Sequence, residues 1–169
     1  LDRNQKSFKL SFDQFYARRV SPQLISRGRQ KMAQHRATLD RMAKRFGVPA
    51  EIVIAIWGLE TNYGSDRGQG KSIVQSLATL TYDCRRSGFF DPQLMAALRI
   101  VENGDMTANQ LRGGWAGEIG QTQFLPLPYV KYAVDFDGDG RRDLVNSVPD
   151  ILASTANFLK GHGWAAGQD

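Results

Sequence analysis

The chain has 169 residues, 41% of them hydrophobic, so it can bury one continuous core and we expect one domain. Lys and Arg number 22 against 17 Asp and Glu, and the formal charge of +5 fits an anionic cell wall, nucleic acid or an acidic membrane. Cys84 is the only cysteine, which excludes an intramolecular disulfide and a cysteine-rich metal site. No apolar run reaches the ~20 residues that span a bilayer, and because the chain opens on Leu1 we expect a processed or trimmed form.

The beginning of the chain predicts an arm followed by a long helix. Residues 1–20 mix charged and aromatic side chains without a period, so we expect an arm packed on a domain formed by residues 21–169. Ser21-Pro22 supplies an N-cap and a first-turn proline. Apolar residues then recur at steps of three and four as far as Gly47, and basic residues occupy the other face.

Three further signals complete a mainly helical prediction. Pro49 starts a helix whose residues 52–59 are apolar all round, as in a helix buried in a core, and Glu60 ends that run. A capping box at 72–75 and the pair at 91–92 each open a helix, and another helix follows Val148. No period-two run of strand length is present.

Glu60 is the candidate catalytic carboxylate. An ionised group at the end of a buried helix loses hydration, which raises its pKa and favours a protonated acid that can donate to a glycosidic oxygen. The alternative is a helix-end acid that points into water or pairs with an arginine. Thr61, Asn62 and Tyr63 follow it as small or hydrogen-bonding residues, which is typical of the edge of a cleft.

A second group of residues has the chemistry for binding sugars. Gly113-Gly114 and Gly117 provide a backbone that a sugar can approach closely, and Gln121 and Gln123 provide amides for hydroxyl and acetamido groups. The alternative for this stretch is a plain turn. Aromatic faces pack on pyranose rings, which makes Tyr63, Trp115 and Tyr129 candidates, whereas Trp57 and Phe124 are expected in the core.

A calcium loop is predicted near the end of the chain. Asp135, Asp137 and Asp139 stand at positions 1, 3 and 5 with glycine at 6, as in an EF-hand, and Arg141 would offer its carbonyl at position 7. Position 12 is Asn146 rather than glutamate, so the usual closing ligand is missing. An acidic turn that binds no ion is the alternative.

Four blocks in order make the chain resemble the lytic murein transglycosylase B family, whose catalytic core is lysozyme-like. They are G-V-P at 47–49 through E-T-N-Y-G at 60–64, L-A-T-L at 77–80, W-A-G-E-I-G-Q-T-Q-F-L-P at 115–126, and Y-A-V-D at 132–135 through A-N-F at 156–158 to H-G-W at 162–164. Together they run from about residue 47 to residue 164.

The resemblance implies an enzyme that cleaves the β-1,4 bond between N-acetylmuramic acid and N-acetylglucosamine and leaves a 1,6-anhydro end, with Glu60 as the single acid/base. It gives Gln123 more weight than Gln121, and it implies a calcium loop closed by a later aspartate, Asp150. It also implies peptidoglycan glycan strands as the binding partner, with cell-wall synthesis or secretion machinery as further candidates. A periplasmic location follows, with outer-membrane association of a full-length form left open.

This sequence departs from the family at three positions. Glycine stands at 114, where serine is common, and phenylalanine at 158, where tyrosine is common. Glu118 replaces a small residue, so it either lines the cleft as a second carboxylate or is a loop acid facing solvent.

Two other functions compete with catalysis. The first is a peptidoglycan-binding module with weak or no activity, and the second is a calcium-binding interaction protein, although no paired EF-hand is visible. Nucleic acid is not expected as a partner, because the basic residues lie on a solvated helix face without a nucleic-acid motif.

Overall fold

The computed structural model describes residues 10–66, 70–83 and 85–167, and helices dominate it. Cys84 and the first nine residues of the predicted arm lie outside the described residues. The helices are α1 (Phe12–Arg19), α2 (Pro22–Gln34), α3 (Arg36–Phe46), α4 (Ala50–Thr61), α5 (Ile73–Tyr82), α6 (Ser87–Glu102), α7 (Pro126–Tyr132) and α8 (Val148–Gly161). The prediction of a mainly helical fold is confirmed.

One short antiparallel pair of strands joins two distant loops. Strand β1 (Lys71–Ser72) pairs with β2 (Arg112–Gly113), with Lys71 opposite Gly113. Each strand has two residues, too short for a period-two pattern to reveal it from sequence.

Serine caps fix the starts of several helices. Ser21 Oγ accepts a hydrogen bond from Leu24 N at 3.1 Å, with Pro22 in the first turn of α2. Ser72 Oγ likewise accepts from Gln75 N at 3.3 Å at the start of α5. These bonds satisfy backbone N–H groups that have no partner inside the helix, as the sequence predicted.

The predicted long helix after Ser21 is two helices, which corrects the sequence prediction. His35 lies between α2 and α3 with φ −110° and ψ 21°, outside the helical region. The change of direction lets α2 pack on α4 while α3 packs on α8. A bend of this kind keeps the three- and four-residue spacing of apolar side chains, so periodicity could not reveal it.

Two other helix boundaries differ from the sequence prediction. Helix α6 begins at Ser87 rather than at Asp91, so Pro92 lies inside it. Phe90 in its first turn is 2% exposed, and this anchor in the core explains why the helix extends ahead of the proline. Helix α7 was missed because its seven residues are too few to display a period.

The core is built around α4, which packs against α2, α3 and α8. Val53 and Trp57 are buried, at 0% and 1% exposure. The prediction that this helix is apolar and buried all round is wrong on one side, because Ala55 and Leu59 share an exposed stripe with Glu51. Among the described residues, no helix is both long and apolar enough to cross a membrane.

Candidate active site and metal site

Glu60 lies in the last turn of α4 and is exposed, at the end of the exposed stripe of that helix. Partial burial raises the pKa of its carboxyl group, the charge of Arg19 opposes this, and the charge of Glu118 adds to it. The carboxylate is therefore both reachable from solvent and biased toward its protonated form, which is what proton donation requires.

The pocket beside Glu60 contains three arginines and a second acid, Asp66. Arg18 and Arg19 from the end of α1 and Arg27 from α2 line it together with Asn62. Arg19 Nη2 donates to Leu59 O at 2.5 Å, which holds the end of α1 against the end of α4. Sequence reasoning missed these arginines because they come from the predicted arm and from the basic face of a helix. Only the fold brings them to the carboxylate.

Helix α1 is otherwise exposed. None of its residues is buried, and Phe12 and Tyr16 are 78% and 53% exposed. The hydrogen bond from Arg19 to Leu59 supports the predicted packing of the arm on the domain. That packing stays a prediction.

The turn after Glu60 is tied to a second loop. Thr61 is 1% exposed, and its hydroxyl donates to Gln121 O at 2.6 Å and accepts from Gly64 N at 3.1 Å. Asn62 adopts the left-handed conformation at φ 50°, and its Oδ1 accepts from Arg27 Nη1 at 2.6 Å. Asn62 thus shares the pocket with Glu60, whereas Thr61 faces inward.

Tyr63 sits in the core between two helices. Its hydroxyl donates to Leu24 O at 3.0 Å, and its ring meets Trp57 edge to face at 5.6 Å. Gly58 makes room for the ring, because a Cβ there would lie 2.6 Å from Tyr63 Cζ. Tyr63 is 8% exposed, so these contacts position the turn; stacking on a sugar stays a prediction.

Gln121 connects three parts of the fold. Its Oε1 accepts from Trp57 Nε1 at 2.8 Å, and its Nε2 donates to Val145 O at 2.7 Å. Its backbone N–H donates to Leu144 O at 3.0 Å. Gln121 is 3% exposed and both its amide oxygen and its amide nitrogen are bonded to protein groups, so the fold uses this side chain to hold the loop against α4.

Gln123 and Trp115 have more open surroundings. Gln123 is partly exposed and its Nε2 donates to Gly120 O at 2.8 Å, while in the described part of the chain no protein group donates to its Oε1. Trp115 is partly exposed and lines a different groove, next to Lys71 and Arg112. The predicted substrate residues are thus not all gathered in one pocket.

Tyr129 lies deeper than a sugar-stacking residue would. It is 0% exposed, its hydroxyl donates to Arg142 O, and the Arg142 guanidinium lies over the ring at 5.6 Å. Burial raises the pKa of Tyr129. Sugar contact stays a prediction for this residue, and its observed partners link α7 to the aspartate loop.

Three of the predicted metal ligands come together. Each of Asp135, Asp137 and Asp150 offers a carboxylate oxygen, and these oxygens lie within 4.8 Å of one another. Asp150 is 0% exposed; its Oδ1 accepts from Phe136 N at 2.7 Å and its Oδ2 from Asp143 N at 2.9 Å. Burial raises the pKa of Asp150, and the charge of Asp137 adds to this. Three converging carboxylates, one of them buried, are a donor set suited to a hard divalent cation.

The other two predicted ligands stand apart from this group. Asp139 is exposed and outside the three-carboxylate cluster, and its Oδ1 accepts from Arg141 N at 2.8 Å. The short turn formed by that bond holds both residues beside the cluster. Their coordination of an ion stays a prediction.

The geometry defines the class of protein first: a helical domain with a partly buried glutamate at the end of a core helix, as in lysozyme-like glycan-cleaving domains. The model of the family described as "Transglycosylase SLT domain" matches residues 1–169. Membrane-bound lytic murein transglycosylase B of Escherichia coli (strain K12) is 36% identical over 149 residues, which cover 88% of this chain and 41% of that protein.

Solved structures agree with this match. SltB3 from Pseudomonas aeruginosa in complex with NAG-anhNAM-pentapeptide is 46% identical with a TM-score of 0.86, covering 98% of this chain and 42% of that one. Escherichia coli lytic transglycosylase SLT35 in complex with calcium is 34% identical with a TM-score of 0.84, covering 90% of this chain and 49% of that one. The chain belongs to the transglycosylase SLT domain family, and it spans about two fifths of the length of the first of these relatives.

Proposed function

We propose that this chain is a lytic transglycosylase domain that cleaves the β-1,4 bond between N-acetylmuramic acid and N-acetylglucosamine in peptidoglycan. The observation that carries the proposal is Glu60, a carboxylate open to a pocket with a pKa raised by partial burial, in a chain of the transglycosylase SLT domain family. The relatives' descriptions support the same substrate, because one is a murein transglycosylase and another is bound to an anhydromuropeptide.

In the proposed reaction Glu60 acts twice. Its protonated carboxyl group donates a proton to the glycosidic oxygen as the bond to muramyl C1 breaks, and the substrate's own acetamido group stabilises the cationic centre. The Glu60 carboxylate then accepts the proton of the C6 hydroxyl while that oxygen bonds to C1. The product is a 1,6-anhydro ring, and no water is consumed.

The residues around Glu60 suit an anionic, amide-rich substrate. Asn62 is held by Arg27 at the pocket, and the other two pocket arginines offer positive charge to carboxylates of peptidoglycan stems. Trp115 and Gln123 are the partly exposed candidates for sugar contact outside this pocket. Thr61, Tyr63, Gln121 and Tyr129 act in this proposal mainly by holding the turn and the loops in place.

Replacing Glu60 by Gln tests the assignment. The variant keeps the shape of the side chain but cannot transfer the proton, so anhydromuropeptide release from purified sacculi should fall at least about 100-fold, the lower part of the range for losing general acid–base catalysis. Glu51→Gln is the matched control, because Glu51 is an exposed acid on the same helix and its variant should retain full activity.

Mass spectrometry of the products separates the alternatives. Anhydro ends support the transglycosylase, whereas reducing ends would indicate a hydrolase. Binding to sacculi without any product would support the weak or inactive peptidoglycan-binding module instead. Undiminished release by the Glu60→Gln variant would remove Glu60 from the mechanism.

We also propose that Asp135, Asp137 and Asp150 hold a structural Ca²⁺, with Asp139 and the Arg141 carbonyl as further ligands. The converging carboxylates and the burial of Asp150 support this, and a related transglycosylase is described as a complex with calcium. A bound dication would offset the repulsion between Asp137 and Asp150 and stabilise the folded chain in proportion to its occupancy.

Calorimetric titration of chelator-treated protein tests the calcium site. We expect saturable heat and a calcium-dependent rise in melting temperature, both lost in Asp150→Asn and retained in Asp40→Asn, an exposed acid paired with Arg36. Equal responses of the two variants, or no heat from the unaltered chain, would show that the acidic turn binds no calcium. We further propose a periplasmic location, with peptidoglycan strands as the partner and cell-wall synthesis or secretion machinery as candidate associates.

A further inference from the structure

The α5 groove lies between one face of α5 and the paired strands β1 and β2, and it shares no lining residue with the pocket beside Glu60. Polar side chains recur on this face of the helix at steps of three and four, which brings them to one side. They are Ser72, Gln75, Ser76, Thr79 and Asp83. The other side of the helix is buried, with Ile73 and Leu77 at 0% exposure. Helix α5 therefore turns a row of hydrogen-bonding groups toward the groove.

Two cations stand on the opposite wall. Lys71 on β1 and Arg112 on β2 are both exposed, and both line the α5 groove. The strand register pairs Lys71 with Gly113 and Ser72 with Arg112, so the two cations are one register position apart. Arg112 Nη1 donates to Gly70 O at 2.7 Å, which holds the guanidinium across the two strands.

These two cations give the groove its net positive charge. Asp83 is the acid among the lining residues, and its Oδ2 lies 3.8 Å from Arg85 Nη2, so this pair offsets itself. In the described part of the chain, no carboxylate pairs with Lys71 or Arg112. Both cations are thus available to an anionic ligand.

The wall formed by β2 and Trp115 is held in place by the loop that follows it. Gly114 N donates to Glu118 O at 2.9 Å, and Ala116 N donates to Glu118 Oε2 at 3.0 Å. Gly113 packs so closely on this loop that a Cβ there would collide with the Glu118 carbonyl oxygen and lie 3.0 Å from the carbonyl carbon. A ligand therefore meets a wall that is already formed, and binding does not have to order it.

We propose that the α5 groove binds the acidic peptide stem of peptidoglycan, with Lys71 and Arg112 pairing with stem carboxylates and the polar face of α5 bonding its peptide groups. The inference rests on the proposed function, because it names the part of the strand that this chain recognises outside the Glu60 pocket. Stems branch from the muramyl residues along the strand, so one bound strand presents stems to both places.

A peptide stem fits the groove better than a neutral sugar does. Trp115 alone would suit a pyranose face, but the two cations gain no counter-charge from an N-acetyl sugar. A stem supplies free carboxylates for the cations, and its amide groups match the hydroxyl and amide side chains of α5.

Titration with the free tetrapeptide stem, which carries the carboxylates without any sugar, tests binding directly. The full chain is labelled with ¹⁵N, and the indole N–H of Trp115 reports on the groove. We expect a saturable shift of this signal, and the double variant Lys71→Gln with Arg112→Gln should raise Kd by about 2–30-fold, as for the loss of two solvated ion pairs. Lys71→Gln alone keeps the bond from Arg112 to Gly70 and should show part of this rise.

Lys44→Gln is the matched control, because Lys44 is exposed on α3 and outside the groove. It removes the same charge from the chain and should leave Kd unchanged. An equal rise in Kd for Lys44→Gln and Lys71→Gln would show attraction by net charge only and would overturn the site, as would the absence of any shift at Trp115.

Activity on two substrates tests whether the groove reads the stem during cleavage. Sacculi carry stems, whereas glycan strands treated with an amidase lack them. The ratio of kcat/KM on stem-bearing strands to that on stem-free strands should fall by about 2–30-fold in the double variant and stay constant in Lys44→Gln. An equal fall on both substrates would mean that the groove reads sugar, and an unchanged ratio would also overturn the stem assignment.

The titration separates this inference from the proposed function. If the unaltered chain releases no anhydro product, the proposed function fails, and the tetrapeptide titration still decides whether the groove binds a stem. If product forms and the tetrapeptide does not bind, only the stem site fails.

Discussion

The hydrogen bonds of Gln121 predict that Gln121→Met, a substitution that nearly keeps the size of the side chain, causes a large loss of stability. The variant keeps a side chain of nearly the same length but removes the amide group, and with it both the acceptor oxygen and the donor nitrogen. Trp57 Nε1 then loses its acceptor at 2.8 Å, and Val145 O loses its donor at 2.7 Å. The two losses differ in cost because the two sites differ in burial.

The magnitude follows from that difference. Trp57 is 1% exposed, so its indole N–H cannot turn to water, and an unsatisfied buried donor costs about 1–3 kcal/mol. Val145 is only partly buried, so its carbonyl can be hydrated and the loss is that of an ordinary hydrogen bond, about 0.5–1.5 kcal/mol. Together the free energy of unfolding should fall by about 1.5–4.5 kcal/mol.

Urea unfolding measures this change as a lower midpoint with an unchanged slope, because the surface exposed on unfolding stays the same. The indole N–H resonance of Trp57 should shift as well. Gln123→Met is the control, since Gln123 makes one partly buried bond at 2.8 Å and should lose no more than about 1.5 kcal/mol. A change within about 0.5 kcal/mol for Gln121→Met, together with a raised KM, would show that Gln121 serves the substrate rather than the fold.

Two further predictions concern the surroundings of Glu60. Arg19→Met removes the charge that lowers the pKa of Glu60, so this pKa should rise and the basic limb of the kcat/KM profile should move to higher pH. Arg19→Lys keeps the charge and should leave the limb in place, and an unmoved limb in Arg19→Met would refute the effect. Gly58→Ala forces a methyl group against the Tyr63 ring and should lower the free energy of unfolding by about 1–3 kcal/mol, measured in urea. Ala55→Gly, on the exposed stripe of the same helix, should lower it by only about 1 kcal/mol. A loss for Gly58→Ala no larger than that of Ala55→Gly would contradict the packing argument.

The sequence predicted the elements whose signals are local. The serine caps, the apolar run of α4 and the spacing of the aspartates each lie within one stretch of chain, and the structure places them as helix starts, a core helix and a carboxylate cluster. The break at His35 and the extra helix α7 were missed because neither leaves a local signal in the sequence. A bend preserves apolar spacing, and seven residues do not complete a measurable period.

The roles within the site depended on contacts that no local pattern records. Gln121 and Tyr63 have the chemistry of sugar-binding residues, yet their donors and acceptors are used by Trp57 and Leu24, far away in the sequence. A side chain's chemical type shows which bonds it can form, and only the fold shows whether protein or solvent receives them. For this reason Glu60 could be proposed as the acid from sequence, while its supporting residues could not be ranked.

The charges on Glu60 extend the same reasoning. Arg19 comes from a helix predicted as an arm, and Glu118 comes from a loop whose carboxylate position depends on the missing side chain of Gly114. Neither residue adjoins Glu60 in sequence, and their charges act on it in opposite directions. Burial has the largest influence on the pKa of Glu60, and these two charges modify it from distant segments, so a change in either segment should alter the pH range of activity without any change at Glu60 itself.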